Sequence, residues 1–178
     1  MITNNLNEQS AGEQSVNEQS VINRFHDLTN TLINNNLTIS TMESCTGGLV
    51  GALLSDMEGA SAVVPGGVFT YSNEMKIRHG VPADIISEHG VYSTETAIAM
   101  AGACRQEFHT DVGIGITGSI GAPDPNNADS IPGEVFVAVD YRNHILTEQL
   151  EVPVMDRRKS RLFIAEKTAG LIKSLFVQ

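Results

Sequence analysis

Apolar residues recur first at Val21, Phe25, Leu28 and Leu32. Steps of three and four place these side chains on one helical face, so the spacing predicts an amphipathic helix over 18–34, ended by Asn34-Asn35-Asn36. The run Leu37–Met42 predicts a first strand, and Gly47–Met57 a helix that stops near Gly59. β-Branched residues over Ala62–Tyr71, broken by Pro65-Gly66-Gly67, predict a strand with a bent entry. Short helices are expected over Asn73–His79 and Pro82–Glu88. Ser93 is a good N-cap for a longer helix whose small face carries Ala97, Met100, Ala101 and Cys104. Val112–Ile116 alternates with glycine and predicts a buried strand. Glu134–Tyr141 and His144–Val152 predict a hairpin around Tyr141-Arg142-Asn143, and residues 157–176 a closing helix. The order α-β-α-β-α-α-α-β-β-β-α describes an α/β fold. Its sheet is part parallel and part antiparallel, with helices on both faces.

The N-terminal stretch departs from this patterning. Glu-Gln-Ser occurs at 8–10, 13–15 and 18–20, in a segment rich in Asn, Gln, Ser and Glu. Such a composition cannot bury itself, so residues 1–20 are expected to form a disordered or loosely helical extension and 21–178 a single domain. The 178 residues and 41% hydrophobic content suit one globular core. No apolar run nears the roughly 20 residues that cross a bilayer, and the polar N-terminus is unlike a signal peptide. The expected location is cytoplasmic, with no membrane partner.

A net charge of −10, no Trp and 5% aromatic content disfavour nucleic acid as a partner, since its recognition leans on basic patches. The one basic cluster, Arg157-Arg158-Lys159 with Arg161, is too small to reverse that balance. His26, His79, His89, His109 and His144 are scattered, and Cys45 and Cys104 lie far apart. These spacings point to no metal site and no disulfide framework. Cys104, on a small helical face, reads as a buried small hydrophobe.

The candidate chemistry starts at Met42-Glu43-Ser44-Cys45-Thr46-Gly47-Gly48, where a strand gives way to a helix. Two readings fit. Ser44 and Thr46 cap the helix, or Ser44 is a nucleophile exposed at a strand end, with helical N–H groups aimed at the reacting carbonyl. Cys45 competes as nucleophile, but neighbouring strand-end residues point opposite ways, so Cys45 faces the core if Ser44 faces a pocket. Glu43 either pairs with a lysine, fixes a loop or is solvated. Gly118–Pro132 is a polar loop of about fifteen residues, a length usually functional or disordered.

Three motifs in order carry a family resemblance: Glu43-Ser44-Cys45-Thr46-Gly47-Gly48, Tyr71-Ser72-Asn73-Glu74-Met75-Lys76 and Ile116-Thr117-Gly118. Together they resemble the CinA C-terminal-domain family, the nicotinamide-nucleotide amidases, over roughly Ile22 to Leu175. The resemblance implies a three-layer α/β/α sandwich, often paired into homodimers. Here it would be a stand-alone domain, without the separate N-terminal domain of full-length CinA proteins. It also implies hydrolysis of a nucleotide carboxamide, with nicotinamide mononucleotide as the small-molecule substrate and no cofactor. Ser44, Tyr71 and Lys76 are the implied catalytic group, with Lys76 as base and Tyr71 relaying or orienting the proton. As bare sequence, Lys76 reads as a solvated helix lysine; to serve as a base it must be neutral, through burial or a nearby cation. Cys45, Thr46, Gly47 and Gly48 would contribute through the backbone. Asn73 either contacts substrate or caps the next helix, and Thr117 and Gly118 would line the substrate site. Arg157, in a motif resembling the family's Asp-Arg-x-x-x-Arg, would meet a phosphate or a partner's carboxylate.

The chain departs from the family pattern at Thr117-Gly118-Ser119-Ile120-Gly121-Ala122-Pro123-Asp124, where family members carry more glycine and the proline one position earlier. Met155 also stands where glycine is usual. The loop change bears on substrate more than on the catalytic group. Two other readings stay open: a non-catalytic nucleotide-binding module of the same fold, and an amidase for another small carboxamide.

Overall fold

The computed structural model describes residues 16–121, 123–125, 127 and 130–176. The expected N-terminal extension lies mostly outside the described residues. Helix α1 (Glu18–Asn34) starts where the pattern placed it, with the Asn17 side chain accepting from Ser20 N–H.

Five strands form one sheet in the order β2-β1-β3-β4-β5. Strand β1 (Ile39–Glu43) lies second in the sheet, parallel to the short edge strand β2 (Gly66–Phe69) on one side and to the central strand β3 (Val112–Gly118) on the other. Strands β4 (Glu134–Tyr141) and β5 (His144–Glu151) extend the sheet antiparallel. Arg142 and Asn143 turn the hairpin between them with φ of 49° and 70°, the left-handed conformation that a two-residue hairpin turn demands.

Helices cover both faces. On one side α1, α2 (Leu49–Leu54) and α6 (Arg157–Lys173) pack on Ile39, Ile114, Ile116, Val137 and Val139. On the other, α5 (Thr94–Glu107) lies against β1, β3 and β4 through Ala97, Met100, Ala101 and Cys104, with α4 (Ala83–His89) beside it. The three-layer sandwich is thus present. Its tightest seam is set by glycine: a Cβ at Gly113 or Gly115 would sit 2.1 or 2.0 Å from the carbonyl oxygens of Ala101 and Ala97. The alternating glycines of β3 are what let the backbone of α5 lie directly on the sheet.

The differences from sequence expectation are local. Helix α2 starts at Leu49 rather than Gly47, because Gly47 and Gly48 both turn with positive φ, 64° and 89°. The expected strand over Ala62–Tyr71 opens instead as a 3-10 turn at Ala60–Ala62 and narrows to Gly66–Phe69. Strand β3 runs two residues further than predicted, to Gly118. Helix α6 ends at Lys173 and tightens into a 3-10 turn over Ser174–Phe176.

Candidate active site

The site begins where β1 ends. Ser44 prolongs the strand by one residue, its N–H donating to the Ile116 carbonyl at 3.0 Å. Side chains alternate across a strand, and three consecutive residues therefore divide between two faces. Glu43, fully buried, points toward α2. Its carboxylate accepts from Val50 N–H at 3.1 Å and Gly51 N–H at 2.7 Å. Ser44 points the other way, toward α3 (Asn73–Arg78). Cys45 returns to the core packed by α1, α2 and α6.

This arrangement corrects two expectations. Neither Ser44 nor Thr46 caps α2: its N-cap is Gly48, which makes no side-chain cap bond, and Glu43 takes the second and third helical N–H groups, those of Val50 and Gly51. Those helical groups are consequently not aimed at a ligand. The N–H groups of Cys45, Thr46, Gly48 and Leu49 make no hydrogen bond to another residue among the described residues, and of these Cys45 and Thr46 lie next to Ser44 in the chain, whereas Gly47 N–H closes a turn onto the Ser44 carbonyl.

Lys76 stands behind Ser44. It is 1% exposed, and its Nζ donates to the Thr70 carbonyl at 2.9 Å and to Ser44 Oγ at 3.2 Å. Burial pushes its pKa down from 10.5 to about 8, while Cys45 and Asp124 pull it back up. Burial also pushes the Cys45 thiol up to about 12, with the Glu43 carboxylate adding to the rise. Cys45 is therefore a protonated thiol at neutral pH, and the thiolate that would hold Lys76 charged does not form there. The pair best equipped for nucleophilic chemistry is Ser44 with Lys76.

A cleft of about 240 Å³ opens in front of Ser44. Ser44, Cys45, Tyr71, Gly118 and Arg157, all expected from sequence, line it. Tyr71 is largely exposed, and its hydroxyl accepts from Arg157 at 2.5 Å. No hydrogen bond joins it to Ser44 or Lys76 among the described residues. Arg157 also donates to the Ile120 carbonyl at 3.3 Å. No carboxylate of a described residue forms an ion pair with Arg157 or Arg161.

Other expected residues shape the site without lining it. The Thr117 hydroxyl is buried and donates to the Val91 carbonyl at 2.8 Å. Asn73 does not cap α3; Ser72 does, accepting from Met75 N–H at 3.2 Å, and Asn73 instead donates to Asn127 at 3.1 Å. Gly47 leaves room for the Arg161 guanidinium: a Cβ there would meet it at 2.8 Å, and Arg161 Nε donates to the Cys45 carbonyl at 3.0 Å. Gly48 borders a separate cleft beside β2. The buried hydroxyls of Thr46 and Thr70 have no hydrogen-bond partner among the described residues. Buried hydroxyls left unpaired in this way suit completion by water or a polar ligand.

Sequence reasoning missed Tyr92 and Asp124, which also line the cleft. The Tyr92 hydroxyl donates to Asp124 at 2.6 Å. Burial, reinforced by Asp124, keeps that hydroxyl protonated. The one sequence signal toward Asp124 was the length of the 118–132 loop. Tyr92 had none, because it sits in a short turn before α5 with no pattern of its own.

Comparison with known proteins agrees with this architecture. A family model described as CinA C-terminal domain matches residues 23–176. A CinA-like protein of Gemmatimonas aurantiaca is 45% identical over 118 residues, covering 66% of this chain and 27% of that protein. A putative competence-damage inducible protein of Desulforudis audaxviator is 36% identical over 144 residues, covering 80% and 34%. The chain thus spans about a third or less of the length of these curated relatives. The crystal structure of a competence/damage inducible protein from Agrobacterium tumefaciens superposes with a TM-score of 0.80 at 27% identity, over 87% of this chain and 94% of that one. Among the described residues no helix is long and apolar enough to cross a membrane, and no three His, Cys, Asp or Glu side chains converge as metal ligands would.

Proposed function

The chain belongs to the CinA C-terminal domain family, and on that premise we propose that it is a serine-type amidohydrolase. Its substrate in this reading is nicotinamide mononucleotide, hydrolysed to nicotinate mononucleotide and ammonia. The observation that carries the reading is the buried Lys76 amine 3.2 Å from Ser44 Oγ. A serine hydroxyl is a weak nucleophile until a neighbour takes its proton. A lysine held near pKa 8 is neutral in roughly a tenth of molecules at pH 7, enough to act as a base.

The steps follow from the contacts. The Thr70 carbonyl holds one amine hydrogen, which leaves the lone pair of neutral Lys76 free to accept the Ser44 proton. Ser44 Oγ attacks the carboxamide carbon, and the carbonyl oxygen becomes an oxyanion facing the free N–H groups of Cys45 and Thr46. The Lys76 ammonium then returns its proton to the leaving nitrogen, and ammonia departs. Water attacks the acyl-serine with Lys76 again as base, releasing the carboxylate product. Tyr71 belongs with the binding group in this scheme, since its hydroxyl is engaged by Arg157, and Arg157 would meet the phosphate. A homodimer, as the resemblance implies, is part of the same proposal and is checked by sedimentation.

The experiment is ammonia release from nicotinamide mononucleotide by the wild type and by Ser44→Ala. The wild type is expected to turn over, and the variant to lose several orders of magnitude while keeping its fold. Near-normal release by a folded Ser44→Ala protein would remove Ser44 from the mechanism. Binding without turnover by the wild type would favour a nucleotide-binding module.

A further inference from the structure

The loop between β3 and β4 brings a negative charge into the cleft that the serine–lysine chemistry does not use. Asp124 lines the same cleft as Ser44. Its Oδ2 accepts from the Tyr92 hydroxyl and from Asn127 Nδ2, each at 2.6 Å, and its backbone N–H donates to Ser130 Oγ at 2.8 Å. Asn127 is tied in turn to Asn73, on the helix that carries Lys76. The carboxylate is therefore held from its own loop, from the turn before α5 and, through Asn127, from α3. A group fixed this way contributes its charge without a further ordering cost when a ligand arrives.

That charge works against the base. It favours the ammonium form of Lys76, the form that cannot take the Ser44 proton. A carboxylate that hinders the chemistry beside it is better explained by what it offers a ligand. The cleft also carries Arg157, which no described carboxylate neutralises, and two tyrosine rings, Tyr71 and Tyr92. A fixed anion, a fixed cation and aromatic walls complement a flat cationic group joined to an anionic tail.

We propose that Asp124 reads the positive charge of an N-alkylated pyridine ring. The site would then take cationic pyridine carboxamides carrying an anionic tail and disfavour counterparts whose ring is neutral. This inference rests on the amidase reading and narrows its substrate. Nicotinamide mononucleotide carries the ring charge. Its reduced 1,4-dihydro form keeps the carboxamide, ribose and phosphate, gains a hydride at C4 and loses that charge.

The test uses Ser44→Ala protein, so that binding is measured without turnover, and titrates both mononucleotides by calorimetry. The oxidised form is expected to bind about tenfold or more tightly than the reduced form, as a desolvated charge pair in a part-enclosed cleft should give. Adding Asp124→Asn should cut that preference to about twofold by weakening the oxidised form alone. Retained affinity for the reduced form reports an intact fold. Tyr92→Phe, which frees one hold on the carboxylate, should give an intermediate preference. Equal affinities in the parent, with wild-type turnover of the oxidised form intact, would overturn the charge reading and leave the amidase standing. An unchanged preference in Asp124→Asn would overturn the assignment to this residue. Parallel loss of both ligands in that variant would show a structural role instead. Failure of the parent to bind either form, with no turnover, would overturn both readings.

Discussion

Lys76 offers a measurement in which catalysis and stability must move together. Burial at 1% exposure lowers its pKa from 10.5 to about 8, which at about 1.4 kcal/mol per pH step costs about 3 kcal/mol whenever the folded protein carries the ammonium. The sign follows from proton counting. Below pH 8 both folded and unfolded chains hold the proton, and the folded state bears the full cost. Between about 8 and 10.5 the unfolded chain binds the proton and the folded chain does not, so stability rises with pH. Lys76→Met keeps an unbranched side chain one atom shorter and removes the titration. The difference in unfolding free energy, wild type minus Lys76→Met, should therefore rise by about 3 kcal/mol between pH 6.5 and 10.5. Taking the difference cancels the Cys45 and Tyr92 titrations common to both proteins. Urea unfolding at five or six pH values reads it directly. Over the same range, wild-type turnover should climb through a midpoint near 8 while Lys76→Met stays inactive at every pH. A flat stability difference, or one that falls with pH, would refute the reasoning and return Lys76 to the status of an ordinary charged lysine.

Three further predictions follow from individual contacts. Cys45→Ser should keep activity within about threefold and lose about 1–2 kcal/mol of stability, because it puts a hydroxyl into the core; complete loss of turnover in a folded variant would count against Ser44. Gly115→Ala should cost about 3 kcal/mol in urea unfolding, since its Cβ would lie 2.0 Å from the Ala97 carbonyl oxygen; an unchanged midpoint would mean that α5 does not rest on β3 this closely. Asp124→Asn should move the midpoint of the pH–rate profile to lower pH, because removing the anion lets Lys76 lose its proton more easily; a midpoint that moves up would contradict that sign.

The layered fold was legible because periodicity states which residues must be buried. Val21, Phe25, Leu28 and Leu32 announced α1, and the glycines of Val112–Ile116 announced a strand with close neighbours. Exact ends were less legible wherever backbone conformation decided them, as at Gly47 and Gly48, whose positive φ delays α2. Within the site, the serine and lysine motifs named residues that the fold places 3.2 Å apart across 32 positions of chain. Contacts of that range leave no local pattern, so burial of Lys76 could be required by the chemistry but not read from its neighbours. Asp124 and Tyr92 were harder still. Their partnership depends on how a long loop folds back over the cleft, and neither residue type in its own sequence setting signals that path.

The end of β1 shows how one short segment can separate tasks that would otherwise conflict. A buried carboxylate beside a would-be nucleophile would draw protons toward the site and compete with the base. Strand alternation puts Glu43 on the far side, where its charge meets the N–H groups of Val50 and Gly51 and fixes the start of α2. The same alternation turns the Cys45 thiol into the core, where burial keeps it protonated, and leaves its N–H on the chain beside Ser44. Ser44 alone faces the buried amine. The two glycines that follow then let the chain turn sharply enough for Arg161 to grip the Cys45 carbonyl, fixing the peptide whose N–H is that of Thr46, one of the two proposed oxyanion donors. A single-residue slip of β1 would exchange these faces, presenting Glu43 and Cys45 to Lys76 and burying Ser44. Register at this strand, pinned by parallel pairing of Glu43 with Phe69 on one side and Ile116 on the other, is therefore the structural condition for the chemistry.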